Sequence, residues 1–298
     1  MDALEKAYYD AKFENAFLRS KGNTFQTFFN ELMGRAHKGD YMPCRPWGNR
    51  GDRKNDGFLK SERCLFQVYA PNEMTANEAI RKINEDFEGA KEYWSNYFDK
   101  WAFVHNAHDG IPPHVQKKML DLEKANPGIK LHLWGLEELR EVFRLLPRED
   151  LVSWFGYAPN AQTKVEMGFE EIRIVLESIA LKEPDPSMPV KKVRPKKIEA
   201  NQLSDSIAIL LKQGITKSYL IKDFYRKWHD PTFGERIAET FREKYKELRE
   251  NRTPSEIFCE FQSWVGGPER GTPEREMAVL AVIAYYFEDC DIFEEPKR

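Results

Sequence analysis

Ten residues separate Asp56 from the triplet Gln67-Val68-Tyr69, and these side chains have the types and spacing to do chemistry. Alternate side chains of a strand share a face, so Gln67 and Tyr69 point the same way, about 7 Å apart, while Val68 packs the opposite layer. With Asp56 on the adjoining strand, its carboxylate meets the Gln67 amide oxygen and the Val68 backbone carbonyl. These are hard oxygen ligands of the kind Mg²⁺ or Mn²⁺ accepts, with water in the remaining positions. A cation so held can generate hydroxide at neutral pH and polarise a phosphodiester. A lysine at the end of such a triplet would set an ammonium beside the phosphate. Tyr69 can donate a hydrogen bond there but brings no charge.

The segment "GNRGDRKNDG" ahead of the triplet holds Gly48, Gly51 and Gly57. It reads either as a tight turn or as a basic rim in which Arg50, Arg53 and Lys54, with Lys60 beyond, contact DNA phosphates. Lys54 is a second source of the missing ammonium if it folds back over Asp56. Trp47 and Tyr41 either touch nucleic acid or pack on a sheet edge. His105, His108 and His114, with Asp109, lack the convergent third and fourth ligands of a zinc site and read as strand-end and loop residues. No phosphate-binding glycine loop and no nucleophile elbow is present, so any ATP chemistry belongs to a partner.

The elements that position these residues follow from periodicity. Phe25, Phe28, Phe29, Leu32 and Met33 fall at helical spacing and predict a helix over 24–36. Extended segments follow at Tyr41–Arg45 and Asp56–Leu59, then a strand at Cys64–Tyr69. Ala76, Ile80, Ile83, Phe87, Ala90, Trp94 and Tyr97 form the apolar seam of a long helix. Strands are expected at Trp101–Asn106 and Ile129–Trp134, each followed by a helix. This alternation implies an α/β sandwich with partly parallel middle strands.

A proline-rich basic stretch, Lys182 to Glu199, reads as an exposed linker, with Lys191, Lys192, Arg194, Lys196 and Lys197 clustered in it, or as an arm on a DNA backbone. Beyond it the pattern is helical. Thr253-Pro254-Ser255-Glu256 is a capping box, and Thr272-Pro273 primes an apolar helix, Met277–Phe287, expected at the centre of a bundle. The organisation is therefore an α/β domain over 1–160, a helix and basic linker over 161–199, and an all-α domain over 200–298.

The 298 residues are 41% hydrophobic, enough for two cores, and the net charge of −3 gives no global attraction to nucleic acid. Any DNA contact needs a local patch. The acidic start "MDALEKAYYDAKFENAF" has no apolar core of the signal-peptide kind, and no run of about 18 apolar residues reaches across a membrane. Cys44, Cys64, Cys259 and Cys290 are scattered, which reads as reduced thiols in a cytoplasmic protein.

Asn23–Pro71 with Trp101–Asn106 resembles the core of the PD-(D/E)xK restriction-endonuclease-like superfamily in its Mrr-like branch. Phe25-Gln26 matches that branch's Phe-Glu helix start with Gln for Glu. "GDRKNDG" puts the metal-binding aspartate at Asp56, and Gln67 matches the glutamine of Gln-x-Lys, with Tyr69 in place of lysine. "FQVYAP", "FVHNAHDGIPP" and the ending "AYYFEDCDIFEE" are similar to effector subunits of bacterial ABC three-component, Lamassu-type antiphage systems. The resemblance implies a restriction-endonuclease-like α/β/α sandwich and an all-α C-terminal domain. It also implies Mg²⁺- or Mn²⁺-dependent cleavage of DNA, with Asp56 and Gln67 on the metal, Tyr69 or Lys54 on phosphate, and Gln26 or Glu31 orienting water. The implied partners are DNA, an ABC/SMC-type ATPase and a further small subunit, met through the C-terminal helices. A catalytically inactive DNA-binding or adaptor subunit of the same fold is the alternative.

Overall fold

Leu4, Ala7, Tyr8, Ala11 and Leu18 recur at helical intervals and are all buried in α1 (Ala3–Arg19), an element absent from the sequence reading. The structure is a computed structural model describing residues 1–44, 54–108, 110–180, 197–228, 230, 232–267, 271–289 and 292–294. The chain divides into two compact units, one of Ala16–Asp150 and one of Met1–Asn15 with Leu151–Arg298. The end of α1 thus falls in the first and its beginning in the second. The unit that holds the sheet is narrower than the 1–160 span expected for it.

In Ala16–Asp150 the order is α2 (Gly22–Ala36), β1 (Tyr41–Pro43), β2 (Gly57–Leu59), β3 (Cys64–Tyr69), α3 (Ala76–Trp94), β4 (Lys100–His105), α4 (Pro113–Ala125), β5 (Lys130–Trp134) and α5 (Leu136–Phe143). The sheet runs β1-β2-β3-β4-β5. β1, β2 and β3 pair antiparallel as a meander, and β3, β4 and β5 are parallel, joined by crossovers through α3 and α4. The mixed sheet is the one that the alternating pattern predicts.

Each face of the sheet has its own helix layer. On one, Phe29 of α2 meets Phe66 of β3 with ring centroids 5.3 Å apart, and Phe66 meets Trp134 at 5.0 Å. On the other, Leu65, Trp101 and Phe103 pack with Ile83, Phe87 and Ala90 of α3 and Val115 and Met119 of α4. β3 therefore divides its side chains as strand geometry requires, Phe66 to one layer and Leu65 to the other. Thr75 caps α3 by accepting the Glu78 N–H, the N-cap role favoured for threonine.

Tyr41 belongs to the core and not to a nucleic-acid face. It is buried, lies edge-on to Phe29 and Phe66, and its hydroxyl donates to Asn30. Its ring fills the space beside Gly57, where a Cβ would come 2.0 Å from the Tyr41 hydroxyl. Trp47 lies outside the described residues.

The second unit is helical: α6 (Arg148–Phe155), which begins just before the division at Leu151, leads into α7 (Ala161–Glu166), α8 (Phe169–Ala180), α9 (Lys197–Ala200), α10 (Asp205–Ile215), α11 (Ser218–Lys227), α12 (Phe233–Arg249), α13 (Pro254–Gly266) and α14 (Pro273–Asp289). The capping box forms as expected: Thr253 Oγ1 accepts the Glu256 N–H and Glu256 Oε2 accepts the Thr253 N–H at 2.8 Å. In α14 every residue from Met277 to Ala284 is buried, and α8, α10, α11 and α13 surround it, so it is the centre of a bundle.

Lys197, grouped in the sequence with exposed linker charges, is instead almost fully buried, its ammonium 5.2 Å from the centre of the Phe287 ring. An aromatic face attracts a desolvated cation, and the lysine stem packs like an aliphatic chain. Asn201 fixes this end of the stretch by donating to the Lys197 and Glu294 carbonyls. The remainder, 182–196, lies outside the described residues.

Candidate functional site

Asp56 closes the antiparallel ladder between β2 and β3. Gly57 pairs with Phe66, so one step further Asp56 stands opposite Gln67, and its backbone N–H reaches the Phe66 carbonyl at 3.0 Å. The side chain then substitutes for the missing strand. Its Oδ2 accepts the Val68 N–H at 2.7 Å, and its Oδ1 accepts the Gln26 side-chain amide of α2 at 2.6 Å. The carboxylate thus meets the Val68 N–H, where sequence reasoning placed it against the Val68 carbonyl. Asp56 is 4% exposed. A hydrogen bond to an ionised acceptor is among the stronger kinds, so the two donors fix the carboxylate in place.

Gln67 has the same burial, and its Oε1 meets no hydrogen-bond donor among the described residues. Nor does the Oδ1 of Asn55, next to Asp56, meet one among them. A buried acceptor left without a donor costs about 1–3 kcal/mol, and a cation is one way to recover it. Asp56 and Gln67 offer an ionised and a neutral hard oxygen, a set that fits Mg²⁺ completed by water. Among the described residues no three or more His, Cys, Asp or Glu side chains are arranged to hold a metal ion.

Tyr69 lies beyond Gln67 on the α3 side, its ring 5.8 Å from Phe103. Burial raises the Tyr69 phenol, and the charges of Glu78 and Asp86 add to it against Arg81. The hydroxyl therefore stays protonated and is able to donate. Burial, aided by the charge of Asp56, pushes the Tyr41 phenol up as well.

Lys54 adopts a left-handed backbone, φ 61°, and directs its ammonium to Asp86 of α3 at 2.8 Å. Its stem crosses α3 at Gly89, where a Cβ would lie 2.6 Å from Lys54 Cγ. Asp86 is fully buried and also accepts Lys82 Nζ at 3.0 Å. Sequence reasoning missed Asp86 and Lys82. A signal existed: Asp86 interrupts the apolar seam between Ile83 and Phe87, a position where only a partnered acid is stable.

The structure thus brings Gln26, Asp56 and Gln67 together, with Tyr69 on the same strand as Gln67. Lys60 lies at the other end of β2, donating to the Gly39 carbonyl. Glu31 is ion-paired with Arg35 at 2.6 Å. Arg50 and Arg53 lie outside the described residues, as does Asp109. His105 is buried, its Nδ1 accepting the Ala107 N–H at 3.3 Å, and burial holds its pKa down at about 4. It is a neutral strand-end residue. Among the described residues Cys44, Cys64 and Cys259 form no disulfide. No helix among the described residues is long and apolar enough to cross a membrane.

No curated protein and no solved structure matches the chain. Residues 170–294 match the family model of C-terminal domain 10 of the ABC-three component (ABC-3C) systems. The match begins in α8 and takes in the basic proline-rich stretch and the helices around α14. Residues 170–294 are therefore similar to a C-terminal domain of the ABC-three component systems.

Proposed function

We propose that the chain is the DNA-cleaving effector of an ABC three-component antiphage defence system, a cytoplasmic Mg²⁺- or Mn²⁺-dependent endonuclease. An ABC/SMC-type ATPase and a further small subunit work with it through the C-terminal helices. The observation that carries the nuclease reading is the buried, unpartnered Oε1 of Gln67 opposite the fixed carboxylate of Asp56. These two residues would hold the cation. Bound there, it would supply a water acidic enough to ionise at neutral pH and a positive charge against the scissile phosphate. Gln26 and the Val68 N–H hold the Asp56 carboxylate in one orientation. The protonated Tyr69 hydroxyl donates to a phosphate oxygen, and the lysines on Asp86 stand on the same helix-covered side. The family match supports membership of a multi-component system, and the sandwich of Ala16–Asp150 fits a nuclease fold.

The test is plasmid cleavage with Mg²⁺ or Mn²⁺, with and without the ATPase, beside Asp56→Ala. Cutting that disappears in the variant is expected. Cutting that survives it means the site is elsewhere.

A specific observation favours a second reading, a DNA-binding or adaptor subunit that does not cut. Gln26 satisfies Asp56 directly, where a glutamate would need a cation between the two carboxylates, and Tyr69 carries no charge. Absence of cutting under every condition, with DNA or ATPase binding retained, would select this reading.

A further inference from the structure

A cavity of about 170 Å³ lies within the helical unit, against the beginning of α1, the turn after α6, the end of α13 and the start of α14. Gln262 of α13 is on its wall and only 4% exposed, and neither its Nε2 nor its Oε1 meets a hydrogen-bond partner among the described residues. A buried amide in that state gives up hydrogen bonds that it has in water, and leucine would fill nearly the same space without that cost. The loss points to a ligand that offers a donor and an acceptor side by side. Among the described residues of the wall two carry charge. Lys12 holds its ammonium 5.2 Å from the centre of the Tyr8 ring, and Glu276 accepts the Tyr8 hydroxyl at 2.8 Å. Their charges cancel, so the cavity suits a neutral group rather than an ion. Tyr157, also on the wall, is 55% exposed, and a flat ligand can stack on its ring.

We propose that this cavity is a nucleobase site, in which Gln262 reads the edge of an adenine and Tyr157 stacks on its face. Adenine presents its N6 amino group beside N7, the pair that a glutamine side chain meets bidentately. Stacking on an aromatic ring together with hydrogen bonds to the base edge is the way unstacked bases are recognised. The Gln262 amide atoms are closed off from solvent; the torsions of the glutamine side chain, the last of them broad, let it turn to the ligand. The base can belong to a free nucleoside or nucleotide, or to an unstacked position of a single strand. The site does not depend on Asp56 or on cutting.

The experiment is calorimetric titration of the full chain with adenosine, AMP, ribose 5-phosphate and a short adenine-containing single strand. Adenosine and AMP are expected to bind alike, because the cavity reads the base, and ribose 5-phosphate is expected not to bind. Gln262→Leu should weaken adenosine binding by about tenfold or more while melting at or above the wild-type temperature, a split that a merely structural glutamine would not give. Tyr157→Ala, a change at an exposed ring, should weaken binding by a similar factor and keeps the test open if Gln262→Leu fails to fold. Gln262-dependent binding of adenosine upholds the site as one for a free nucleoside or nucleotide. The same dependence seen only with the single strand upholds the base site and assigns it to nucleic acid. No binding of any adenine probe, ribose 5-phosphate bound as tightly as AMP, or unchanged affinity in a folded Gln262→Leu or in Tyr157→Ala would each overturn the proposal. So would equal affinity for adenosine, guanosine, cytidine and uridine, whose edges differ.

Discussion

The Gln26 amide of α2 donates to Asp56 Oδ1 across 2.6 Å, joining the first helix over the sheet to the loop that enters β2. A neutral donor on a buried carboxylate satisfies that carboxylate without a cation. Gln26→Glu should reverse that. Without metal, two carboxylates face each other and the chain is expected to lose about 1–3 kcal/mol of stability. With Mg²⁺ the loss should shrink, because a cation bound to the native state alone stabilises it by mass action. Urea titrations in chelator and in Mg²⁺ measure both. An equal loss in the two conditions would show that the pair does not take a cation.

Gln67 tests the same site from the other strand. Because its buried Oε1 has no donor, Gln67→Met removes an unsatisfied acceptor at nearly constant volume. In metal-free buffer the variant should be as stable as the wild type or more so by about 1 kcal/mol. It should also lose any rise in melting temperature that Mg²⁺ or Mn²⁺ gives the wild type. A variant that keeps the full metal-dependent rise removes Gln67 from the ligand set.

How far the sequence reaches is visible in these residues. The Cys64–Tyr69 strand runs between the ends that its alternation predicts, and the helix expected over 24–36 is α2, Gly22–Ala36. Local periodicity suffices there because each element has one buried face. That Asp56 and Gln67 lie side by side is also legible, since a meander brings neighbouring strands together, whereas Gln26 on α2 is reached only through the family resemblance. Tyr41 is not: an aromatic residue on a short strand has the same local pattern whether it packs inward or waits for a ligand, and Phe29 and Phe66 decide it. Nor is the link between Lys54 and Asp86, whose two ends meet only after the β3–α3 crossover has folded. Lys197 shows the converse error, a charge whose burial depends on a ring ninety residues away, Phe287.

The pH dependence of stability should carry the mark of His105. Burial holds its folded pKa at about 4, against an ordinary value of 6.5. The neutral ring is the form that the fold accepts, so the unfolded chain takes up a proton first as pH falls. The contribution is complete above pH 6.5 and is lost between there and about pH 4, by up to roughly 3 kcal/mol. His105→Gln should flatten this part of the profile. Urea midpoints at several pH values for the two proteins isolate the effect from the carboxylates that they share, and parallel profiles would contradict it.

Two glycines within helices should respond to alanine with opposite signs. At Gly34 in α2 an added Cβ meets nothing within 4 Å, so Gly34→Ala should gain stability by about 0.5–1 kcal/mol, the usual advantage of alanine in a helix. At Gly214 in α10 the same Cβ would lie 2.5 Å from the Leu280 carbonyl oxygen and 2.7 Å from the Ala284 Cβ of α14. One of those neighbours is backbone and cannot rotate away, so the two helices must separate. Overpacking of this kind costs about 1–3 kcal/mol, which exceeds the helical gain. Gly214→Ala is therefore expected to lower the melting temperature of the full chain while Gly34→Ala raises it. A rise in both would mean that α10 and α14 do not approach as closely as Gly214 allows.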